Sequence, residues 1–200
     1  MTRATLLVLT AALVAGCGSS PKSRFYTLSA NGAASPPAAA AGAASPAAAA
    51  AYSVSVGPVS VPEIVDRPQF VLNVGTNQVE IAEQARWAEP LKAAIPRVIA
   101  ANLAHALGDA RVTAFSADAD YRVLVDIQRF ESVRSNAVSI EAGWSVRPAK
   151  GGAPRNGRSV VRETASGKDF DALAAAHSKA LAVLSDEIAQ AIRAYEVARK

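Results

Sequence analysis

Thiol and imidazole chemistry rest on three residues in this chain: Cys17, His105 and His177. A single cysteine excludes a disulfide within the chain and a Cys-rich zinc site. Two histidines are too few for a His-based metal cage. Both fall inside helical patterns, and His177 lies flush with Ala174 and Leu181, the setting of a packed or boundary histidine rather than a base. Asp118 and Asp120 form a paired-acid motif, but they precede a strand in a turn and read as solvated acids. No G-x-S-x-G elbow, phosphate loop or dinucleotide fingerprint occurs. The residues therefore point to no enzyme, no catalytic or metal site and no cofactor. The net charge of +4 is spread along the chain without a dense basic run, which speaks against nucleic acid.

Binding chemistry is the better reading of two polar clusters. In Val61-Pro-Glu-Ile-Val-Asp-Arg-Pro-Gln-Phe70 a Pro-bracketed turn holds Asp66, Arg67 and Gln69. In Glu83-Gln-Ala-Arg-Trp-Ala-Glu-Pro90, Arg86 and Trp87 stand side by side between a strand and a helix start. Trp and Arg dominate binding hot spots, so Asp66, Arg67, Gln69, Arg86 and Trp87 are the candidate partner contacts. The structural alternative has Trp87 packing the helix onto the sheet and Arg86 pairing with Asp66 or Glu89. Both outcomes can hold together.

Cys17 is explained by what precedes it. Arg3 gives a positive start, Leu6 to Val14 is a short apolar run, and Ala15-Gly16 stand directly before the cysteine. Such a run is too short to cross a hydrocarbon core, which needs roughly 20 apolar residues, and fits a secretory leader. The ending L-V-A-G-C resembles the bacterial lipobox. That resemblance implies a signal peptide over 1–16, cleavage before Cys17, and acylation of the Cys17 thiol and amine. Two or more acyl chains anchor stably where one does not. Gly18 rather than Asp follows the cysteine, and by resemblance to the enterobacterial sorting pattern this favours the outer membrane.

The elements that must position the clusters follow from residue patterns. Residues 17–24 are expected to be an acylated tether, and 25–200 a single domain. An insert at 33–51 contains only Ala, Pro, Ser and Gly and is expected to be disordered. Phe25 to Ser29 is a short β-prone pentad, read as a docked first strand. Tyr52 to Val61 alternates Val with Ser or Gly, with Pro58 marking an edge or a bend. Phe70–Val74 and Val79–Ile81 read as a hairpin around Gly75-Thr-Asn77, with a turn longer than the tight two-residue type. A helix follows Pro90 and ends at Gly108, with Pro96 inside it. Strands are expected at Arg111–Phe115, Tyr121–Phe130, Val138–Arg147 and Arg158–Thr164. A last helix, from about Phe170 to Tyr195, has an apolar stripe through Leu173, Leu181, Leu184, Ile188 and Ile192. Two helices and six or seven strands imply an α/β or α+β sandwich in one domain, with the sheet covered by the two main helices.

The lipobox, the early Y-x-L strand, V-x-V-P-x-x-x-D-R-P-Q, R-W-A-E-P-L and the late A-x-x-H-S-x-A-L helix occur in that order. As a set they resemble the ABC-type transport auxiliary lipoprotein family, the PqiC-like proteins. The resemblance spans the mature chain apart from the Ala/Pro insert. It implies an α/β fold, a three-layer or sandwich-like single domain with a mixed sheet similar to the anticodon-binding-domain type, and a lipid-anchored, periplasm-facing protein of the outer membrane. It also implies an MCE-domain protein and ABC or membrane-permease components as partners, in intermembrane transport of lipids or hydrophobic compounds and in envelope integrity. Homo-oligomerisation stays open, as do two other roles: a lipid-binding carrier with an apolar pocket, and a general envelope-stabilising lipoprotein.

Overall fold

The computed structural model describes residues 21–30, 51–108, 110–134 and 137–199. The leader, Cys17 and the low-complexity insert apart from Ala51 lie outside these residues. The elements run β1 (Arg24–Tyr26), β2 (Tyr52–Ser60), β3 (Gln69–Gly75), β4 (Gln78–Trp87), α1 (Leu91–Leu107), β5 (Ala110–Ala114), β6 (Tyr121–Val133), β7 (Ala137–Pro148), β8 (Arg155–Thr164) and α2 (Phe170–Arg199).

The long strand β6 organises one mixed eight-stranded sheet. Along one edge it pairs antiparallel with β7, which in turn carries β8. Along the other edge its first half pairs in parallel with β2 and its second half with β3. β2 carries β5 in parallel; β3 carries β4 antiparallel, and β4 carries β1 in parallel. Tyr121, Val123, Val125, Ile127, Phe130 and Ser132 of β6 are buried on one face, while Arg122, Asp126 and Arg129 are exposed on the other. Gln128 is a bulge residue, opposed by no partner of its own on β7, and it resets the alternation between Ile127 and Phe130.

Both helices cover the same face, since α1 packs on β2 and β5, α2 on β7 and β8, and the helices on each other. Among the described residues the result is a two-layer sandwich with no helix on the other sheet face. Leu173, Leu181, Leu184, Ile188 and Ile192 of α2 are all buried, as are Leu91, Ile95, Ile99 and Leu103 of α1. α1 runs through Pro96, and Gly108 caps it at φ 64°, with its N–H donating to Ala104 O at 3.1 Å. Among the described residues no helix is long and apolar enough to cross a membrane.

Several local expectations are corrected. The β3–β4 connection is the two-residue Thr76-Asn77, because Gly75 pairs directly with Gln78; an irregularity at Val74 absorbs the register shift. β4 continues through Glu83 to Trp87, where the sequence reading placed a connection. Its side chains are exposed on both faces as far as Glu80, so no alternation marks it. Pro58 marks a bend and not an edge: β2 lies between β5 and β6, and its register with β6 slips across Gly57-Pro58. Asp120 is no solvated acid, since it accepts hydrogen bonds from Ser53 N at 2.9 Å and Ser53 Oγ at 2.8 Å. Those bonds hold its carboxyl below the usual carboxylate range.

Candidate functional site

The two polar clusters meet at one end of the sheet. β1 brings Phe25 beside Arg86 of β4, and β3 brings Gln69 beside Arg86 from the other side, so the three form a row across adjacent strands. The turn after β2 is closed by Val65 N donating to Pro62 O at 3.0 Å and Asp66 N to Glu63 O at 3.2 Å. It is tied to β4 by Trp87 N donating to Pro68 O at 2.6 Å. Ala88 N donates to Tyr26 O at 2.8 Å, which fixes β1 to the same junction. Ser29 N reaches Ser178 Oγ on α2 at 3.1 Å, and Leu28 is buried, so the early segment is docked on the domain.

These constraints shape an open groove of about 470 Å³, with walls from Phe25, Arg67, Pro68, Arg86, Trp87 and Pro90. Asp66 and Glu89 line it as well. Its floor is rigid for an identifiable reason. Trp87 is only 6% exposed; its indole stacks on Phe70 at 4.0 Å and meets Phe130 and His177 edge-on at 6.1 and 6.0 Å. Tyr26 and Phe170 close the cluster around Phe70 at 5.5 and 5.2 Å. Phe25, in contrast, is 64% exposed.

Among the sequence-derived candidates, Asp66, Arg67, Arg86 and Trp87 line this groove. Gln69 is the register partner of Arg86 but does not line it; its amide donates to Glu83 Oε2 at 3.2 Å. The pairing of Arg86 with Asp66 or Glu89 is not formed. Asp66 binds Lys92 at 2.6 Å, Glu89 binds Arg97, and Arg86 Nε donates to the Glu83 carbonyl at 3.1 Å. Arg67 is half-buried, and its Nε is fully buried without a hydrogen-bond partner. α1 starts at the groove with Pro90 as its cap residue, without a side-chain cap and without an acid in the first turn. A helix N-terminus of this kind carries a partial positive charge from unpaired N–H groups. Phe25 escaped the sequence reading as a site residue because its neighbours there, Arg86 and Trp87, lie some sixty positions along the chain.

His177 stands directly behind the groove floor and is fully buried. It stacks on Phe130 at 3.9 Å with the rings 7° from parallel, and Nε2 lies 2.9 Å from Ser132 Oγ. Burial alone pushes its pKa down to about 3, so the ring is neutral and acts as a core aromatic with one polar contact. His105 is exposed on α1.

Comparison with known proteins places this arrangement. No curated protein sequence matches the chain. Two crystal structures share its fold. One, described as an uncharacterized protein, superposes at a TM-score of 0.70 with 19% identity, over 86% of this chain and 99% of the other. The second, a Xanthomonas campestris protein of family DUF330, superposes at 0.67 with 19% identity, over 89% of this chain and all of the other. The family model described as "ABC-type transport auxiliary lipoprotein component" matches residues 26–189, from β1 into α2, and includes every groove residue except Phe25. The chain belongs to the ABC-type transport auxiliary lipoprotein family.

Proposed function

We propose that this protein is a docking component of an ABC/MCE-type system moving lipids or other hydrophobic compounds between membranes. Acyl chains on Cys17 anchor it in the outer membrane, facing the periplasm, and the groove at the β1–β4 edge grips an MCE-domain partner. One observation carries the reading: a rigid groove with an aromatic floor and exposed Phe25 also holds two arginines that have no carboxylate partner among the described residues. Pre-formed aromatic and arginine surfaces of this kind are what binding hot spots are made of. The space between helices and sheet is filled by Ile95, Ile99, Leu103, Ile140, Leu181 and Leu184, which favours an adaptor over a carrier that holds lipid there.

The test is affinity capture of the full chain from solubilised envelopes, with co-purifying proteins identified by mass spectrometry. Wild type should bring down an MCE-domain protein and its permease components. Arg67→Glu with Arg86→Glu should lose them while the thermal midpoint stays within a few degrees. A collapsed midpoint would make both residues structural. Unchanged capture would put the interface elsewhere. Cys17→Ser should leave the protein unacylated and free of the membrane, read by lipid labelling and fractionation.

A further inference from the structure

The same groove also indicates the chemistry of what it grips, an inference that rests on the docking reading. Three positive features line it, and among the described residues none is directly paired with a carboxylate. Arg67 lines the wall half-buried, with no carboxylate partner among the described residues. Arg86 spends its Nε–H on a backbone carbonyl, which leaves the guanidinium charge uncompensated. The N-terminus of α1 begins at Pro90 without a cap side chain or an acid in its first turn. Two carboxylates also line the groove, each already engaged, Asp66 by Lys92 and Glu89 by Arg97. The rest of the lining is apolar: Phe25, Pro68, Trp87 and Pro90.

An arginine without a carboxylate partner can take one from an occupant through its accessible guanidinium N–H groups, and such charge-assisted bonds are among the strongest hydrogen bonds. Apolar walls next to those donors favour an aliphatic or aromatic side chain beside the carboxylate. We infer that the occupant is a segment of the partner protein in which an acidic residue, Asp or Glu, adjoins a large apolar one. The carboxylate lies between Arg67, Arg86 and the α1 N-terminus, and the apolar side chain packs against Phe25 and Pro68. A diacyl lipid fits less well, since a half-open groove of about 470 Å³ would leave most of its acyl chains in water.

Trp87 and Trp144 are the only tryptophans, so Trp144→Phe in the full detergent-solubilised chain leaves Trp87 as sole reporter. The probes are three hexapeptides in which two leucines and two alanines are combined with two Glu, two Gln or two Lys. The Glu peptide should shift Trp87 emission saturably, at concentrations at least tenfold below the Gln peptide, and the Lys peptide should not bind. Arg67→Glu with Arg86→Glu should abolish the Glu-peptide response. Equal binding of the Glu and Gln peptides, or no binding of either, overturns the assignment. So does an arginine-dependent response to phosphatidylglycerol vesicles in place of peptide. Loss of the partner in the capture experiment alongside a failed peptide preference would leave docking intact and refute only this chemistry. An arginine-dependent peptide preference with capture unchanged would refute docking and leave the groove's preference standing.

Discussion

Trp87→Ala separates the two roles that the sequence assigned jointly to Arg86-Trp87. The indole is 6% exposed and stacked on Phe70 at 4.0 Å, with edge contacts to Phe130 and His177. Truncating a buried aromatic of this size costs about 3–5 kcal/mol through lost burial and the cavity left behind. For a chain of this length each kcal/mol is worth roughly 2–4 °C of thermal midpoint, so a fall of about 6–20 °C is expected. Trp87→Phe keeps a ring against Phe70 and should lose less than half of that. Arg86→Glu, one position earlier on the opposite face of β4, should move the midpoint by no more than a few degrees. The assay is thermal unfolding followed by circular dichroism on all three variants, with partner capture measured below each midpoint. If Trp87→Ala unfolds within 2 °C of wild type, the aromatic floor is not what holds this junction, and the packing argument fails.

Three further outcomes follow from the core. His177 is neutral when folded with a pKa near 3, whereas the unfolded ring titrates near 6.5, so the unfolded state binds the extra proton between those values. Stability should therefore fall as pH drops below about 6.5, by up to about 1.4 kcal/mol per unit. Urea unfolding at pH 7 and 5 should show this slope in wild type and not in His177→Leu; Asp120, whose pKa is lowered, adds its own loss only in more acidic solution. Gly157→Val should cost about 1–3 kcal/mol, because a Cβ at Gly157 would stand 2.1 Å from Trp144 Cζ2 and displace the indole; a lower midpoint with red-shifted Trp144 emission would register it. Asp120→Ala removes the acceptor of both Ser53 bonds and should cost about 1–2 kcal/mol in the same unfolding measurement.

Legibility in the sequence tracked how local the signal was. The Val/Ser alternation of β2, the Tyr121–Ile127 alternation of β6 and the leucine-isoleucine stripe of α2 are written within a few residues, and each emerged as read. β4 was half missed because most of it is solvent-exposed on both faces, so nothing repeats with period two. The forked pairing of β6 with β2 and β3 has no local signature at all. In the site, Arg67, Arg86 and Trp87 could be picked out by type. Their convergence, and the place of Phe25 among them, depends on parallel pairing of β1 with β4 across the whole insert. His177 was legible as a packed residue of α2, but its neighbours Ser132 and Phe130 come from β6, some 45 positions away.

Docking at the β1–β4 edge is tested most directly by photocrosslinking in intact cells. A benzoylphenylalanine replaces Phe25 at the groove or, as the control, Val160, which is 60% exposed on β8 at the opposite edge of the sheet. The docking account expects a crosslink to the MCE-domain partner from position 25, lost when Arg67 and Arg86 are reversed to Glu, and none from position 160. A partner crosslink from position 160 with none from position 25 would contradict it.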